Sequence, residues 1–572
     1  MMALCALEQS GCGDDVAGHR DGGSGILDAL AERGASDATD AAAEPAGRDL
    51  AAELVESVND GRGAVDAPLK IDAVDATEAG LVLPGLDAAD ATRGAGPAAQ
   101  WARTVAAPTG ASIFGAVAVD RAGNAYVTGD LWGKDTFDFG GGVTATGLSD
   151  RYSALLVKYD VSGTPRWATA NRADSFGRLA SDSAGNLYVL AALPSTADGG
   201  IDFGHGVTVS QWSTGSGVVL VKYSADGAAL WAQILAAGAG LALDADDNIY
   251  VAGTVADPVA YDAAASVSTG EGRNGRIKSP APQPVDPAHA LLARYDASGA
   301  LKWTRTVAAS SITGDSPHST FGKVALDAAG NVYVTGTIGS DLGHGNYDFG
   351  NGATAAGPGP VLVKYDAAGT AQWVRPWPYR TYLNNLAVDA AGNVYGAGQM
   401  MCATFDFGNG VTVTGSGGFA GTAGPSCAIL VKHGPSGLPQ WAASNTGNGT
   451  GAYFASVALD SAGNVYAVGS VYGEGTYDFG NGVTVAAPGQ SQNYLLLTKY
   501  AASGIAQWAR SSDHRGTSYD ELSSVATDGA DNLYVTGVIA GPGDVDFGDG
   551  VTLTGLPQVP NYGWSALLAK YR

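Results

Sequence analysis

From Trp101 to the C-terminus the chain is built of short apolar runs rich in Val, Leu, Tyr and Ala, each closed by Gly, Asn or Asp. β-Branched and aromatic residues held between such turn formers predict strands. The runs also recur in order. Ala118-Val119-Asp120-Arg121-Ala122-Gly123-Asn124-Ala125-Tyr126-Val127-Thr128-Gly129 returns six more times, its asparagine falling at Asn124, Asn186, Asn248, Asn331, Asn393, Asn464 and Asn532. The intervals are 62, 62, 83, 62, 71 and 68 residues. A second element, Leu155-Leu156-Val157-Lys158-Tyr159-Asp160, recurs around Tyr159, Tyr223, Tyr295, Tyr365, His433, Tyr500 and Tyr571. Eight residues after each of the first six stands a tryptophan, at Trp167, Trp231, Trp303, Trp373, Trp441 and Trp508. That fixed interval predicts a tight hairpin with no room for insertion.

Each unit therefore predicts four strands: the Val-Ala-Val-Asp type, then Asn-x-Tyr-Val-Thr-Gly, then Leu-Leu-Val-Lys-Tyr, then the segment around Trp. Four-stranded units repeated along a chain are the mark of a β-propeller. The expected fold is all-β, a seven-bladed propeller. Its seventh unit stops at Leu567-Leu568-Ala569-Lys570-Tyr571-Arg572 without a fourth strand, while Gln100-Trp101-Ala102-Arg103 is a fourth strand without its first three. The N-terminal strand around Trp101 is expected to pair with the last blade, closing the ring and removing both open sheet edges. In the Asp-Ala-Ala-Gly-Asn turn the glycine supplies a left-handed conformation; blades 3 and 7 carry Asp247 and Asp531 there, a residue type that tolerates it.

These motifs resemble the bacterial β-propeller repeat family of the SBBP type, which is similar in pattern to NHL repeats. The residues that carry the likeness are Val-Asp-x-x-Gly-Asn-x-Tyr-Val-Thr-Gly, x-Asp-Phe-Gly-x-Gly and Leu-Val-Lys-Tyr-Asp-x-x-Gly-x-x-x-Trp, over about residues 101–572. The resemblance implies a secreted or surface-attached propeller and brings no catalytic residues with it. Two departures stand out: Tyr261-Asp262-Ala263 replaces Asp-Phe-Gly in blade 3, and His433 replaces Tyr in blade 5.

Composition adds a second region. Residues 1–100 hold 19 acidic and 6 basic residues, so −13 of the total charge of −25 lies there, and no aromatic residue precedes Trp101. Residues 1–97 are expected to form a disordered acidic leader or tether, and 98–572 the propeller. The acidity excludes general nucleic-acid binding, and no apolar run reaches the ~20 residues of a membrane-spanning helix. Near the N-terminus, Ser10-Gly11-Cys12-Gly13-Asp14-Asp15 resembles the end of a lipoprotein signal, which makes Cys12 a candidate for lipidation, although Gln9 stands where a lipobox has Leu.

Candidate chemistry is sparse. Asp-Phe-Gly, at Asp138, Asp202, Asp348, Asp406, Asp478 and Asp546, lacks every partner of a phosphoryl-transfer site and is expected to brace the loop between strands two and three. The lysines before Tyr are expected to pair with a repeated Asp. Calcium candidates are Asp244 and Asp246, and Asp544, Asp546 and Asp549, although neither group has a complete EF-hand loop. Neither a zinc ligand spacing nor a nucleophile elbow is present. Cys402 and Cys427 flank the connection between two neighbouring strands and are expected to form a disulfide in an oxidising compartment.

In a propeller the short turns share one face, and the long variable connections share the other, where recognition concentrates. Trp377, Tyr379, Arg380 and Tyr382 form the densest candidate binding segment, with His514, Arg515 and Tyr519 at the corresponding place before blade 7. Aromatics and arginines anchor interfaces, and rings stack on sugars. The expected function is a monomeric, exported or cell-surface scaffold of a bacterial envelope that binds a protein or polysaccharide and needs no cofactor. The alternative is an extracellular carbohydrate-active lyase or hydrolase with its site at the channel mouth.

Overall fold

The computed structural model describes residues 96–194, 200–210, 217–255, 267–269, 288–314, 318–340, 343–417, 426–489, 492–512, 519–541, 543–555 and 563–572. All lie in the second of the two parts into which the chain divides, Thr92–Arg572. Cys12, His514 and Arg515 fall outside the described residues. Among those described there is no helix, and the sheets are almost wholly antiparallel.

One four-strand order recurs. Ala111–Val119, Ala125–Trp132, Tyr152–Tyr159 and Pro165–Asn171 pair in sequence as the first set. The same order repeats through Ala229–Leu235, Leu301–Thr306, Ala371–Pro376, Pro439–Ser444 and Ala506–Ser511, the fourth strands of the next five sets. The last set joins Glu521–Thr527, Leu533–Ala540 and Trp564–Tyr571 to the N-terminal strand Ala99–Thr104. Trp101 lies opposite Lys570, as the orphan strand at Trp101 predicts. No single sheet closes on itself; the fifth and sixth sets are joined by a parallel backbone bridge between Ser426 and Gly451.

The turn between strands one and two is built from side-chain chemistry. Asp120 accepts the N–H groups of Ala122 and Asn124 at 2.9 Å, the Asn124 amide at 2.8 Å and the Tyr126 hydroxyl at 3.1 Å. Asp244, Asp327, Asp389, Asp460 and Asp528 each accept their own Asn and Tyr in the same way. Gly123 sits at φ 78°, and Asp247 and Asp531 reach φ 60° and 61° in the place of that glycine. Both aspartates bridge to the preceding set. Ser183 donates its N–H and hydroxyl to Asp247 at 2.8 and 2.6 Å, and Ser461 does the same to Asp531.

The seams between sets depend on the recurrent Trp. Trp167 Nε1 and Lys158 Nζ both donate to the Ala225 carbonyl of the next set, at 3.2 and 3.1 Å. Trp441 and Lys432 share Ala502 O likewise, and Trp101 and Lys570 share Val161 O. Each lysine also lies over its own set's tyrosine ring, Lys158 at 4.9 Å from the Tyr126 centroid and Lys432 at 5.0 Å from that of Tyr395. The expected ion pair with the repeated Asp forms for Lys222–Asp182 at 3.1 Å and Lys499–Asp460 at 3.9 Å. The cation–π contact is the more general role, because desolvation against the ring strengthens it. A bare Cα is needed where the indole lands: a Cβ on Gly163, already at φ +76°, would lie 2.7 Å from the Trp101 ring.

The Asp-Phe-Gly segments are more ordered than the loop expected of them. Thr136–Gly140 pairs with Val143–Thr146, and five further hairpins of this kind include Gly475–Asp478 with Thr484–Ala487. The aspartate does brace the backbone, since Asp138 accepts Gly140 N–H at 2.8 Å and its counterparts repeat the bond. Phe139, Phe203, Phe349, Phe479 and Phe547 are buried beneath these hairpins. Cys402 and Cys427 are joined in a disulfide with Cα atoms 5.1 Å apart.

Trp101→Ala is expected to cost about 3 kcal/mol or more, the usual cost of truncating a large buried ring. Urea unfolding of the variant checks this, and an unchanged midpoint would show that the N-terminal strand is dispensable. Replacing Cys402 and Cys427 together by Ser should lower stability by about 3 kcal/mol through the freed loop, read in the same assay without reductant.

Candidate functional site

The two ends of the strands differ chemically. The large apolar side chains left exposed at the short-turn end are aliphatic: Val161, Leu230, Leu438 and Ile505. At the opposite end, where strands two end and strands three and one begin, stand Leu148, Tyr152, Tyr379, Tyr382 and Tyr472. Every exposed tyrosine among the described residues is therefore on the variable-connection end.

The structure separates the members of the Trp377 segment. Trp377 is buried at 3% exposure, its indole stacked 5.8 Å from His433 and edge-on to Phe407 at 5.2 Å. It is a packing element between sets four and five and presents no ring face to a ligand. Its size compensates for the smaller ring of His433 at a position that is Tyr in the other sets. Burial, and secondarily the Arg375 guanidinium, push the His433 imidazole down to about 4. Tyr379 and Tyr382 are the solvent-facing members. Arg380 takes φ 69°, unusual for a residue with a Cβ, and lies over the Tyr379 ring at 5.9 Å. Its guanidinium also donates to Met401 Sδ.

Tyr519 belongs to a second group. It bridges to Asn493 through the backbone, and its ring lies 6.2 Å from Trp564. The Tyr519 and Tyr453 hydroxyls face the Glu521 carboxylate, which is 2% exposed. Burial raises the Glu521 carboxyl above the ordinary range while these hydroxyls oppose the shift. Burial, then the Glu521 charge, holds the Tyr453 phenol neutral well beyond its usual range. One seam away, burial and repulsion from Asp174 push Asp130 up to about 8, and its Oδ1 has no partner.

Sequence reasoning did not find Glu521, Asp130, Trp132, Tyr152 or Trp564. A signal existed: each occupies a strand position where the repeat varies, beside positions where it does not.

The calcium candidates do not converge. Asp244 spends its carboxylate on the turn, accepting Asp246 N, Asn248 and Tyr250. Asp544 accepts from Thr554, Asp546 from Gly548 N and Asp549 from Ala99 N. Among the described residues no three His, Cys, Asp or Glu side chains gather as a metal site. No helix among them is long and apolar enough to cross a membrane.

No protein-family model matches the chain, and no curated protein matches it. Among solved structures, the Dos1 propeller aligns at 8% identity over 83% of this chain and 94% of its own, with a TM-score of 0.33. The polysaccharide lyase Uly1 aligns at 8% identity over 80% and 90%, TM-score 0.35. A protein of unknown function from Dyadobacter fermentans aligns at 8% over 82% and 99%, TM-score 0.31. Overlaps this loose carry no inference about activity or ligand.

His433 gives the fold a pH signature. The folded state keeps the imidazole neutral down to about 4, whereas the unfolded chain protonates it near ~6.5. Between those values the unfolded state binds more protons, so stability contributed above ~6.5 falls as pH drops toward 4. His433→Phe should flatten this decline by an amount on the order of 3 kcal/mol across the window. Urea unfolding of parent and variant at pH 7 and pH 4.5 checks it; parallel curves would refute a buried neutral imidazole.

Proposed function

We propose that residues 98–572 form a seven-bladed β-propeller closed into a ring, of the bacterial repeat type, exported or displayed at a cell surface. We further propose that it is a recognition scaffold rather than an enzyme, meeting a protein or polysaccharide on its variable-connection face, with residues 1–97 as tether. Ring closure is supported by the shared acceptor of Trp101 and Lys570 at Val161, which repeats at the two chain ends the bond made at internal seams. Export is supported by the Cys402–Cys427 disulfide, a bond that persists in oxidising compartments.

The observation that carries the recognition reading is the segregation of exposed side chains: all four exposed tyrosines among the described residues stand at one end, beside Leu148, and only aliphatics stand at the other. Tyrosine anchors contacts at low conformational cost and carries a hydrogen-bonding tip. The repeated Asp, Asn, Lys and Trp are meanwhile consumed by turns and seams. A second reading, a carbohydrate-active enzyme at the channel mouth, is favoured by Glu521 and Asp130. Both carboxyls are held above their ordinary range near that end, as catalytic acids often are.

A glycan and protein array probed with the full chain, with product analysis of every hit, separates the two. Binding without turnover, weakened by Tyr382→Ala or Tyr152→Ala, is the expected outcome. Cleaved product abolished by Glu521→Gln would replace the scaffold with the enzyme. Binding insensitive to both tyrosine variants would move the site off this face.

A further inference from the structure

An unbroken row of four aromatic rings runs across the seam between the last set and the first. Tyr519 lies 6.2 Å from Trp564, Trp564 meets Trp132 edge-on at 5.4 Å, and Trp132 lies 4.3 Å from Tyr152. These residues come from distant parts of the chain. Tyr152 is opposite Trp132 in the ladder between strands two and three of the first set, and Trp564 begins the third strand of the last. The row is anchored from below. The buried Glu521 faces the Tyr519 hydroxyl, and Asp520, fully buried, accepts Ser512 Oγ and Ala540 N–H. At its outer end Tyr152 is 42% and Leu148 39% exposed.

We infer that the exposed Tyr152 ring and the half-buried Trp564 and Tyr519 rings, propped by Trp132 buried between them at 8% exposure, are a stacking site for a neutral polysaccharide. The inference rests on the recognition reading above and names the ligand chemistry for that face. Three observations select it. The C–H face of a pyranose is apolar and weakly positive, which suits the negative face of an aromatic ring, and Tyr152, Trp564 and Tyr519 offer more than one accessible ring to a chain of sugars. The rim carries both signs: Lys134 and Asp150 form an exposed pair at 2.8 Å, and Arg151 is exposed beside them. Sugar hydroxyls can donate to the carboxylate and accept from the guanidinium without stripping either of its charge. A protein partner of matching area would have to desolvate that rim, which is costly unless every charge is re-paired. Finally, a net charge of −25 disfavours anionic polymers at long range.

The test is calorimetric titration of the full chain with neutral polysaccharides (a β-glucan, a mannan and a xylan) and with anionic alginate and hyaluronan. Binding of a neutral polymer, weakened about tenfold by Tyr152→Ala, or about 1.4 kcal/mol, and kept by Tyr152→Phe, supports the platform. Trp564→Phe, which keeps a ring, should retain most of the affinity while shifting the tryptophan emission change on binding. Exclusive binding of the anionic polymers, or of a protein with no glycan bound, overturns the inference. Neutral binding unaffected by Tyr152→Ala but lost in Tyr382→Ala overturns the platform and leaves the face intact. Neutral binding insensitive to both variants sinks the face as well.

Discussion

A carbonyl oxygen in the turn between strands three and four ties each of three seams together. At Val161, Ala225 and Ala502 that oxygen receives an indole N–H and a lysine ammonium from the set before it; elsewhere the same turn takes the Tyr188 hydroxyl, Arg294 or the Trp373 indole. The indole lies on a glycine of the same turn, and the ammonium lies on the tyrosine that braces the preceding turn aspartate. Asp, Asn, Tyr, Lys, Trp and Gly therefore form one connected device, and none can change alone. In the last set strands three and four come from distant parts of the chain. Arg510 of the set before it donates to the Phe547 carbonyl, and within the last set Arg572 N–H donates to Ala98 O and Ala99 N–H to Asp549.

That connectedness explains what could be read from the sequence. Strand order, the pairing of Trp101 with the last set, the left-handed turn position filled by Gly or Asp, and the disulfide all follow from residues that repeat or from gaps in the repeat. The hairpin at each Asp-Phe-Gly was less legible, because its strands are short and alternate Thr with small residues, a pattern that also describes a polar loop. The Lys–Tyr contact was misweighted for another reason: an ion pair is the obvious partner of a lysine in an Asp-rich repeat, whereas a cation–π contact depends on where two strands place a ring.

The candidate site was legible only in outline. The face was predicted from loop length alone, and the exposed tyrosines lie on it. Its individual residues were not. Trp377 looked like an anchor because it sits among Pro, Tyr and Arg, yet its ring fills the space left by His433 on a strand 56 positions further on. Conversely Trp132 and Tyr152 meet across the strand-two/strand-three ladder, and Trp564 joins them only because the last set packs on the first.

Departures from the repeat thus fall into two kinds, and a physical criterion divides them. His433 is answered by Trp377, and Asp247 and Asp531 are answered by Ser183 and Ser461; in each pair one change restores packing or hydrogen bonds that the other removes. Such pairs preserve the frame and predict nothing about ligands. Tyr152 and Tyr382 are different. Each leaves a large ring substantially in water, at 42% and 57% exposure, where burial contributes little stability. Tyr152 packs its ring against Trp132 at 4.3 Å and still leaves much of it in water, and that exposed ring surface is what the proposed recognition face rests on.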